Sequence, residues 1–280
     1  MSPSIDTKSG SKWTEETLEF FRIKLHDVPE FLDFFEMDAH DIVLNQDTQE
    51  FLSLDLPKMF YADVVDFKSI SSDMVDAVIT AIFMVTQKYR SDEPAVNDLA
   101  KAFFRLFKYH KMGLPIHSQP ILKLKMSNSV TMANADVCIE MITGSKLLVV
   151  QENKSWAVGD TATSDDVSPQ LVAEMIAAFQ SNAHLPFGPK RRKQGHSEQQ
   201  MFGIILLGTC PTFYHMHITQ ELSESVKLGC RPESETILWQ YTIPNIPADN
   251  VVNAVLYHRS AKHISHCYEG LKHLLSKTMN

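Results

Sequence analysis

Two nearly continuous apolar segments constrain the fold more than any other feature of the chain. They are KLLVV at 146–150 and MFGIILL at 201–207, and both are typical of a strand buried in the middle of a sheet. Between them, the segment PQLVAEMIAAFQSN at 169–182 places apolar residues at three- and four-residue steps, which predicts a helix. Ser168 and Pro169 are favoured at an N-cap and a first helical position, so we expect the helix to begin there. A strand, a helix and a second buried strand predict a sheet covered by helices.

The rest of the chain extends this pattern into an α/β fold with a mixed central sheet flanked by helices. Residues 1–12 are small and polar and predict a disordered N-terminus. Residues 13–92 have mostly helical spacing and predict a helical extension, with short helices at WTEETLEFFRIKL and VPEFLDFF. Residues 93–280 predict the α/β core, within one compact domain. Its further strands are ILKLKM, ADVCIEMI, PTFYHMHIT and ETILWQYTI, and Asp249 is predicted to cap a long C-terminal helix.

Composition excludes several classes of protein. The chain has 280 residues of which 44% are hydrophobic, enough for a full core, so wholesale disorder is excluded. No segment approaches the roughly 20 apolar residues of a membrane span, and the polar N-terminus does not resemble a secretory signal. The four cysteines are far apart with no C-x-x-C pair, which argues against disulfides and cysteine zinc sites and favours the cytoplasm or nucleus. The formal net charge of −8 argues against a protein that coats polyanions, although a local basic patch remains compatible with it.

A carboxylate-x-lysine triplet at the end of an apolar strand predicts chemistry. Asp/Glu-x-Lys occurs three times, but only Glu152-Asn153-Lys154 ends such a strand. Because side chains alternate along a strand, Glu152 and Lys154 point to the same side. If the preceding strand, which Asp136 starts, pairs antiparallel through a turn at 144–145, then Asp136 lies beside Glu152. Paired carboxylates favour Mg²⁺ or Mn²⁺, and the carbonyl of Asn153 would add a ligand.

These segments resemble the PD-(D/E)XK nuclease superfamily and, within it, a group of uncharacterised fungal proteins. The resemblance rests on ADVCIEMI, KLLVVQENKSW, SPQLVAEMIAAFQ and GTCPTFY in that order, and it covers roughly residues 93–245. It implies a restriction-endonuclease-like core and metal-dependent hydrolysis of DNA, or secondarily RNA. By this resemblance, Asp136 and Glu152 match the metal ligands of the superfamily, and Lys154 matches its catalytic lysine. Gln170 matches a glutamine in the following helix of some exonuclease-like members. Ala135 stands where many members have Pro, and the glutamate of the first core helix has two candidates, Glu93 and Asp98.

Alternatives to this interpretation stay open at the sequence level. Asp136, Glu152 and Lys154 would also suit a salt bridge at the surface. Gln170 and Glu174 would also suit an ordinary helix face exposed to solvent. A catalytically inactive nuclease fold that serves as a binding or interaction module is the second hypothesis. A third is a zinc hydrolase built on histidines of the last strands and helix. These candidate ligands are His215, His217, His263 and His266 with Cys267.

One basic run interrupts the otherwise acidic chain. Lys190, Arg191, Arg192 and Lys193 are consecutive and suit contacts to a nucleic-acid backbone, a nuclear localisation signal or a solvated loop. The sequence does not fix the oligomeric state.

Overall fold

The computed structural model describes residues 5–61, 70–88, 92–141, 146–154, 164–182, 198–246 and 253–279. The helices of these residues are α1 (Glu15–Phe20), α2 (Phe31–Phe35), α3 (Gln46–Ser53), α4 (Leu56–Tyr61), α5 (Asp73–Phe83), α6 (Glu93–Leu106), α7 (Ser164–Asn182), α8 (Gln220–Leu228) and α9 (His258–Met279). The strands are β1 (Ile23–Asp27), β2 (Ile116–Ser118), β3 (Ile121–Met126), β4 (Ser129–Asn134), β5 (Val137–Met141), β6 (Lys146–Lys154), β7 (Glu198–Leu207), β8 (Cys210–Thr219) and β9 (Thr236–Thr242).

A mixed seven-stranded sheet organises the molecule, in the order β1-β9-β8-β7-β6-β5-β2. β6 runs parallel to β7 and β1 runs parallel to β9, whereas the other neighbours are antiparallel. Helix α7 lies in sequence between the parallel strands β6 and β7, as a crossover connection requires. The predicted α/β class with a mixed central sheet is therefore confirmed.

The sheet separates two apolar layers, and the alternation of its strands decides which residue enters which layer. In β6, Val149 belongs to the layer of α5, α6 and α9, while Val150 belongs to the layer of α7 and the β3–β4 hairpin. The second layer explains why α7 is apolar nearly all round: Leu171, Met175 and Ile176 are fully buried. Packing in the first layer holds α6 against one face of the sheet, and packing in the second layer holds α7 against the other face.

The strand at ILKLKM is confirmed, but it lies outside the main sheet. It forms β3 and pairs with β4, a strand that the sequence analysis missed, through the two-residue turn Ser127-Asn128. Both turn residues have positive φ, 50° and 59°, as a twisted two-residue hairpin requires. The outer neighbour of β5 is instead the short strand β2, which was also missed.

Three predicted helices begin or end elsewhere. WTEETLEFFRIKL is not one helix: α1 ends at Phe20, Arg22 takes a positive φ of 55°, and the next five residues form β1 on β9. α7 begins at Ser164 rather than Ser168, with Pro169 inside the helix. α9 begins at His258, and the predicted cap Asp249 lies outside the described residues.

Candidate active site

The predicted carboxylates meet at the carboxyl end of β6. β5 and β6 are antiparallel with Val137 opposite Gln151, and the Asp136 amide donates to the Gln151 carbonyl at 3.1 Å. Asp136 therefore lies beside the end of β6 that carries Glu152 and Lys154. The predicted antiparallel pairing is confirmed, although the turn at 144–145 lies outside the described residues.

On the α7 side of the sheet, the Glu152 carboxylate is the centre of a compact polar cluster. Lys154 Nζ lies 2.6 Å from Glu152 Oε1. From α7, Gln170 Nε2 donates to the same oxygen at 2.8 Å and to Glu174 Oε1 at 3.0 Å. Glu152 and Glu174 are 2% and 0% exposed, so this cluster is buried rather than a solvated helix face.

Burial perturbs the acidity of both glutamates. Desolvation raises the pKa of Glu152 to about 7, with the negative charge of Asp136 adding to the rise and Lys154 opposing it. Desolvation and the charge of Glu152 raise the pKa of Glu174 well above its usual range. Glu152 Oε2 and Glu174 Oε2 are both buried with no hydrogen-bond partner among the described residues. Burial thus favours the protonated form of both carboxyl groups.

On the α6 side, a chain of amides holds Asp136. Asn153 N donates to Asp136 Oδ2 at 2.8 Å, and Asn97 Nδ2 donates to Oδ1 at 3.3 Å. Asn153 Nδ2 donates to Asn97 Oδ1 at 2.7 Å, and Gln151 Nε2 donates to Asn153 Oδ1 at 2.7 Å. Desolvation raises the pKa of Asp136, and these hydrogen bonds together with Lys154 oppose the rise. The Asn153 side chain thus positions Asp136, and a ligand role for its carbonyl stays a prediction.

Lys154 joins the two sides of the cluster. Its side chain is 30% exposed, and Nζ lies 3.6 Å from Glu93 Oε1 at the start of α6. Burial lowers the pKa of Lys154, but the charges of Glu152, Glu93 and Asp136 outweigh it, so the pKa is raised and the lysine stays protonated. Of the two candidates in the first core helix, Glu93 therefore reaches the site, whereas Asp98 forms a 2.5 Å ion pair with Lys101.

Two residues of the site were missed by sequence reasoning, namely Asn97 and Gln151. Asn97 lies four residues after Glu93, so both occupy one face of α6, and this spacing was the available signal. For Gln151 the sequence contains no comparable indication, because it precedes the Glu152-Asn153-Lys154 triplet and belongs to no spacing pattern. The basic run 190–193 lies outside the described residues.

The carboxylates at the end of β6 can be compared with the ligands that a divalent cation requires. Within the described residues, no group of three or more His, Cys, Asp or Glu side chains has the arrangement of a metal site. Mg²⁺, however, commonly binds through one or two carboxylates and keeps several waters. Asp136 and Glu152 supply such a pair, and the unpartnered Glu152 Oε2 supplies a ligand atom in a buried, carboxylate-rich place. The residues present therefore fit Mg²⁺ or Mn²⁺.

The histidines proposed for zinc have other contacts. His215 Nδ1 lies 2.6 Å from Gln200 Nε2, and His263 Nε2 lies 2.6 Å from the Tyr241 hydroxyl. His217 lies 3.6 Å from Glu198. Nothing in the described part of the chain brings these histidines together as a metal-binding group.

No protein-family model matches the chain, and no curated protein matches its sequence significantly. Among the described helices, none combines the length and apolar composition that crossing a bilayer demands.

Proposed function

We propose that this chain is a metal-dependent nuclease of the PD-(D/E)XK type that hydrolyses phosphodiester bonds of DNA, with RNA as the less favoured substrate. The observation that carries the proposal is the convergence of Asp136, Glu152 and Lys154 at one sheet edge, with the glutamate buried and one of its oxygens unpartnered. A buried carboxylate is costly unless a ligand or partner compensates it. Sites of this kind are concentrated where catalysis takes place.

The order of elements around the site supports the same proposal. Helix α6, strands β2, β5 and β6, helix α7 and strand β7 follow one another, with β6 and β7 parallel and both helices bordering the cluster. The succession is thus one helix, three strands, one helix and one strand, with the β3–β4 hairpin inserted between β2 and β5. The restriction-endonuclease-like core is part of the proposal for this reason.

Each residue takes a role that follows from its position. Asp136 and Glu152 would hold Mg²⁺ or Mn²⁺, which supplies an activated water and neutralises charge on the phosphate. Lys154, protonated and partly exposed, would donate a hydrogen bond to the attacking water or to a phosphate oxygen. Gln170 holds the Glu152 carboxylate in place, and Asn97 and Asn153 do so for Asp136.

The test is a cleavage assay on single-stranded DNA, duplex DNA and RNA, each with Mg²⁺, Mn²⁺ or EDTA. We expect metal-dependent cutting that Lys154→Ala reduces by about 10²- to 10³-fold, the usual loss on removing one preorganised donor. Lys101→Ala is the matched control, because Lys101 is a lysine of α6 that forms an ion pair with the surface residue Asp98. Circular dichroism would show that both variants fold. Cutting that survives in Lys154→Ala, or that proceeds in EDTA, would overturn the proposal.

A second candidate function is a nuclease-fold binding module without catalysis. Both oxygens of Asp136 already accept hydrogen bonds, and Glu152 Oε1 is shared by Lys154 and Gln170, which leaves few ligand atoms available. This candidate predicts no cleavage and no thermal stabilisation by Mn²⁺. A ligand that binds only the folded state must raise its stability, so a clear shift with Mn²⁺ would exclude it.

A further inference from the structure

A cavity of about 550 Å³ lies over the sheet at the opposite end from the candidate active site. Its floor includes Gln200 and Phe202 of β7, His215 of β8 and Trp239 of β9, and α9 contributes Lys277 to its wall. Lys154 pairs with Leu207, seven residues along β7 from Gln200. At the rise of a strand, this separates the two places by roughly 23 Å. The cavity is therefore distinct from the carboxylate cluster.

The cavity exists because the helix layer covers only part of this face of the sheet. Further along the same face, Phe213 and Tyr241 are buried against Phe35 of α2 and the body of α9. Towards the start of β7, the walls come from the last turns of α9 and from Glu36, which follows α2. The sheet thus extends past the part that these helices cover, and its side chains line a recess of the size that small ligands occupy.

A row of rings crosses the floor of the recess. The strand register places Phe202 opposite His215 and His215 opposite Trp239. The ring centroids of Phe202 and His215 are 6.3 Å apart, and those of His215 and Trp239 are 6.3 Å apart at an angle of 27°. The row offers flat aromatic surface without formal charge.

Hydrogen-bonding atoms lie among these rings. Gln200 Nε2 can only donate, so His215 Nδ1 accepts at 2.6 Å and the ring proton lies on Nε2. Burial lowers the pKa of His215 to about 4, so the ring is neutral at pH 7. Within the described residues, His215 Nε2, Trp239 Nε1 and Gln200 Oε1 make no hydrogen bond to the protein. The floor therefore presents two N–H donors and one carbonyl acceptor.

The charged groups stand at the wall rather than on the floor. Lys277 Nζ donates to Glu36 Oε2 at 2.7 Å, and the two side chains are 47% and 61% exposed. This pair is neutral overall and solvated. Glu221 and Glu235 also line the cavity: Glu235 forms an ion pair with Lys24 at 2.6 Å, and Glu221 accepts hydrogen bonds from the backbone amides of residues 233 and 234. The lining therefore disfavours an anion. The aromatic row and the neutral donors and acceptor decide the chemistry of the ligand instead.

We propose that this cavity binds a planar nitrogen heterocycle of the nucleobase type, with donor and acceptor groups adjoining on one edge. A nucleobase has flat faces for the aromatic row and carries both acceptors for His215 and Trp239 and a donor for Gln200. A purely apolar ligand would leave these three polar groups desolvated and unpaired, which costs affinity. A simple organic ion would find no unpaired charge on the floor. The inference does not depend on nuclease activity, because it concerns the other end of the sheet.

Isothermal titration calorimetry with adenosine, guanosine, cytidine and uridine tests the inference, with deoxyribose as the probe that lacks a base. We expect at least one nucleoside to bind with a Kd of about 1 mM or tighter, and deoxyribose not to bind. His215→Phe keeps a buried ring but removes the N–H donor, and we expect it to weaken binding at least about tenfold. Lys101→Ala serves as the control, because Lys101 lies on α6 with Asp98 as its ion-pair partner, and it should bind as the native protein does.

A second variant keeps the test decisive if His215→Phe does not fold. Gln200→Leu removes the acceptor and the partner of His215, and it should also weaken binding about tenfold or more. A short single-stranded oligonucleotide and its abasic counterpart distinguish a base within a polymer from a free nucleoside, and preferential binding of the base-containing strand supports the site as well. The proposal is overturned if no nucleoside binds to the folded protein, if deoxyribose binds equally well, or if a folded His215→Phe or Gln200→Leu variant binds like the native chain.

Discussion

The two ends of the sheet handle buried polarity in different ways. At the carboxyl end of β6, Asp136, Glu152 and Glu174 crowd around Lys154, and burial raises the pKa of all three carboxyl groups. At the other end, His215 is neutral and shares its surroundings with uncharged rings. The first region stores unfavourable electrostatic energy that a cation would relieve, and the second holds unused hydrogen-bonding capacity that a neutral ligand would satisfy. Buried, uncompensated negative charge therefore indicates a cation site, whereas buried neutral groups without hydrogen-bond partners indicate a site for an uncharged ligand.

The first prediction concerns filling space on the cavity side of the sheet. A Cβ at Gly270 of α9 would lie 2.7 Å from ring atoms of Phe35, which are enclosed and rigid. We expect Gly270→Ala to lower the free energy of unfolding by about 2 kcal/mol, the usual cost of overpacking. Urea denaturation measures this.

Gly203 on the α7 side provides the matched control. A Cβ there would also come within 2.7 Å of an atom, but that atom is the terminal Cδ2 of Leu171, which can rotate away. We expect Gly203→Ala to cost less than about 1 kcal/mol. Equal losses of stability in the two variants would contradict the view that the packing of α2 against α9 is more rigid than the packing of α7 on the sheet.

The second prediction concerns the pH dependence of stability, to which Glu152 and His215 contribute with opposite sign. The pKa of Glu152 is about 7 in the folded state against 4.5 ordinarily, so the folded state binds more protons between these values and its stability falls as pH rises. The pKa of His215 is about 4 against 6.5 ordinarily, so its contribution to stability rises with pH over that window. Each contribution is on the order of 1–3 kcal/mol.

Single variants separate these two slopes. Relative to the native chain, Glu152→Gln should become more stable as pH rises from about 4.5 to about 7, because the amide cannot ionise. His215→Phe should instead gain relative stability as pH falls from about 6.5 towards about 4. Urea denaturation across this range without divalent metal is the measurement, and slopes of the same sign in both variants would refute the contrast.

The smallest effect is expected at Glu174. Glutamine keeps the shape of this fully buried side chain but removes the ionisable proton, and we expect Glu174→Gln to raise the free energy of unfolding at pH 8.5 by about 1 kcal/mol. Glu224→Gln is the control, since Glu224 is a surface partner of Lys227 at 2.6 Å and its loss should change stability by less than about 0.5 kcal/mol. A destabilised Glu174→Gln would mean that the native carboxyl group stabilises the fold more than its burial costs.

The sequence predicted the elements whose burial depends on local pattern. The strand ending in Glu152-Asn153-Lys154 and the strand 210–219 were placed correctly, because continuous or alternating apolar residues carry that information. β1 was missed because its four exposed residues lack a buried stripe, and only pairing with β9 makes it a strand.

The candidate site was predictable only where its residues lie in one strand or pair locally. Asp136, Glu152 and Lys154 follow from two adjacent strands and their antiparallel register. Asn97 comes from α6, and its contact with Asn153 of β6 depends on how α6 packs against the sheet. The cavity could not be predicted at all, since it results from the extent of α9 relative to β7 and β8 rather than from any motif.

The most direct test of the central claim is the binding of Mn²⁺ at pH 8, followed by electron paramagnetic resonance as free Mn²⁺ is depleted. The account predicts one Mn²⁺ site in the native chain and its loss in Asp136→Asn, which keeps the shape of the side chain but removes its charge. His215→Phe, at the other end of the sheet, should retain the site. Absence of Mn²⁺ binding in the native chain, or binding that Asp136→Asn leaves unchanged, would contradict the assignment of the carboxylate cluster as a metal site.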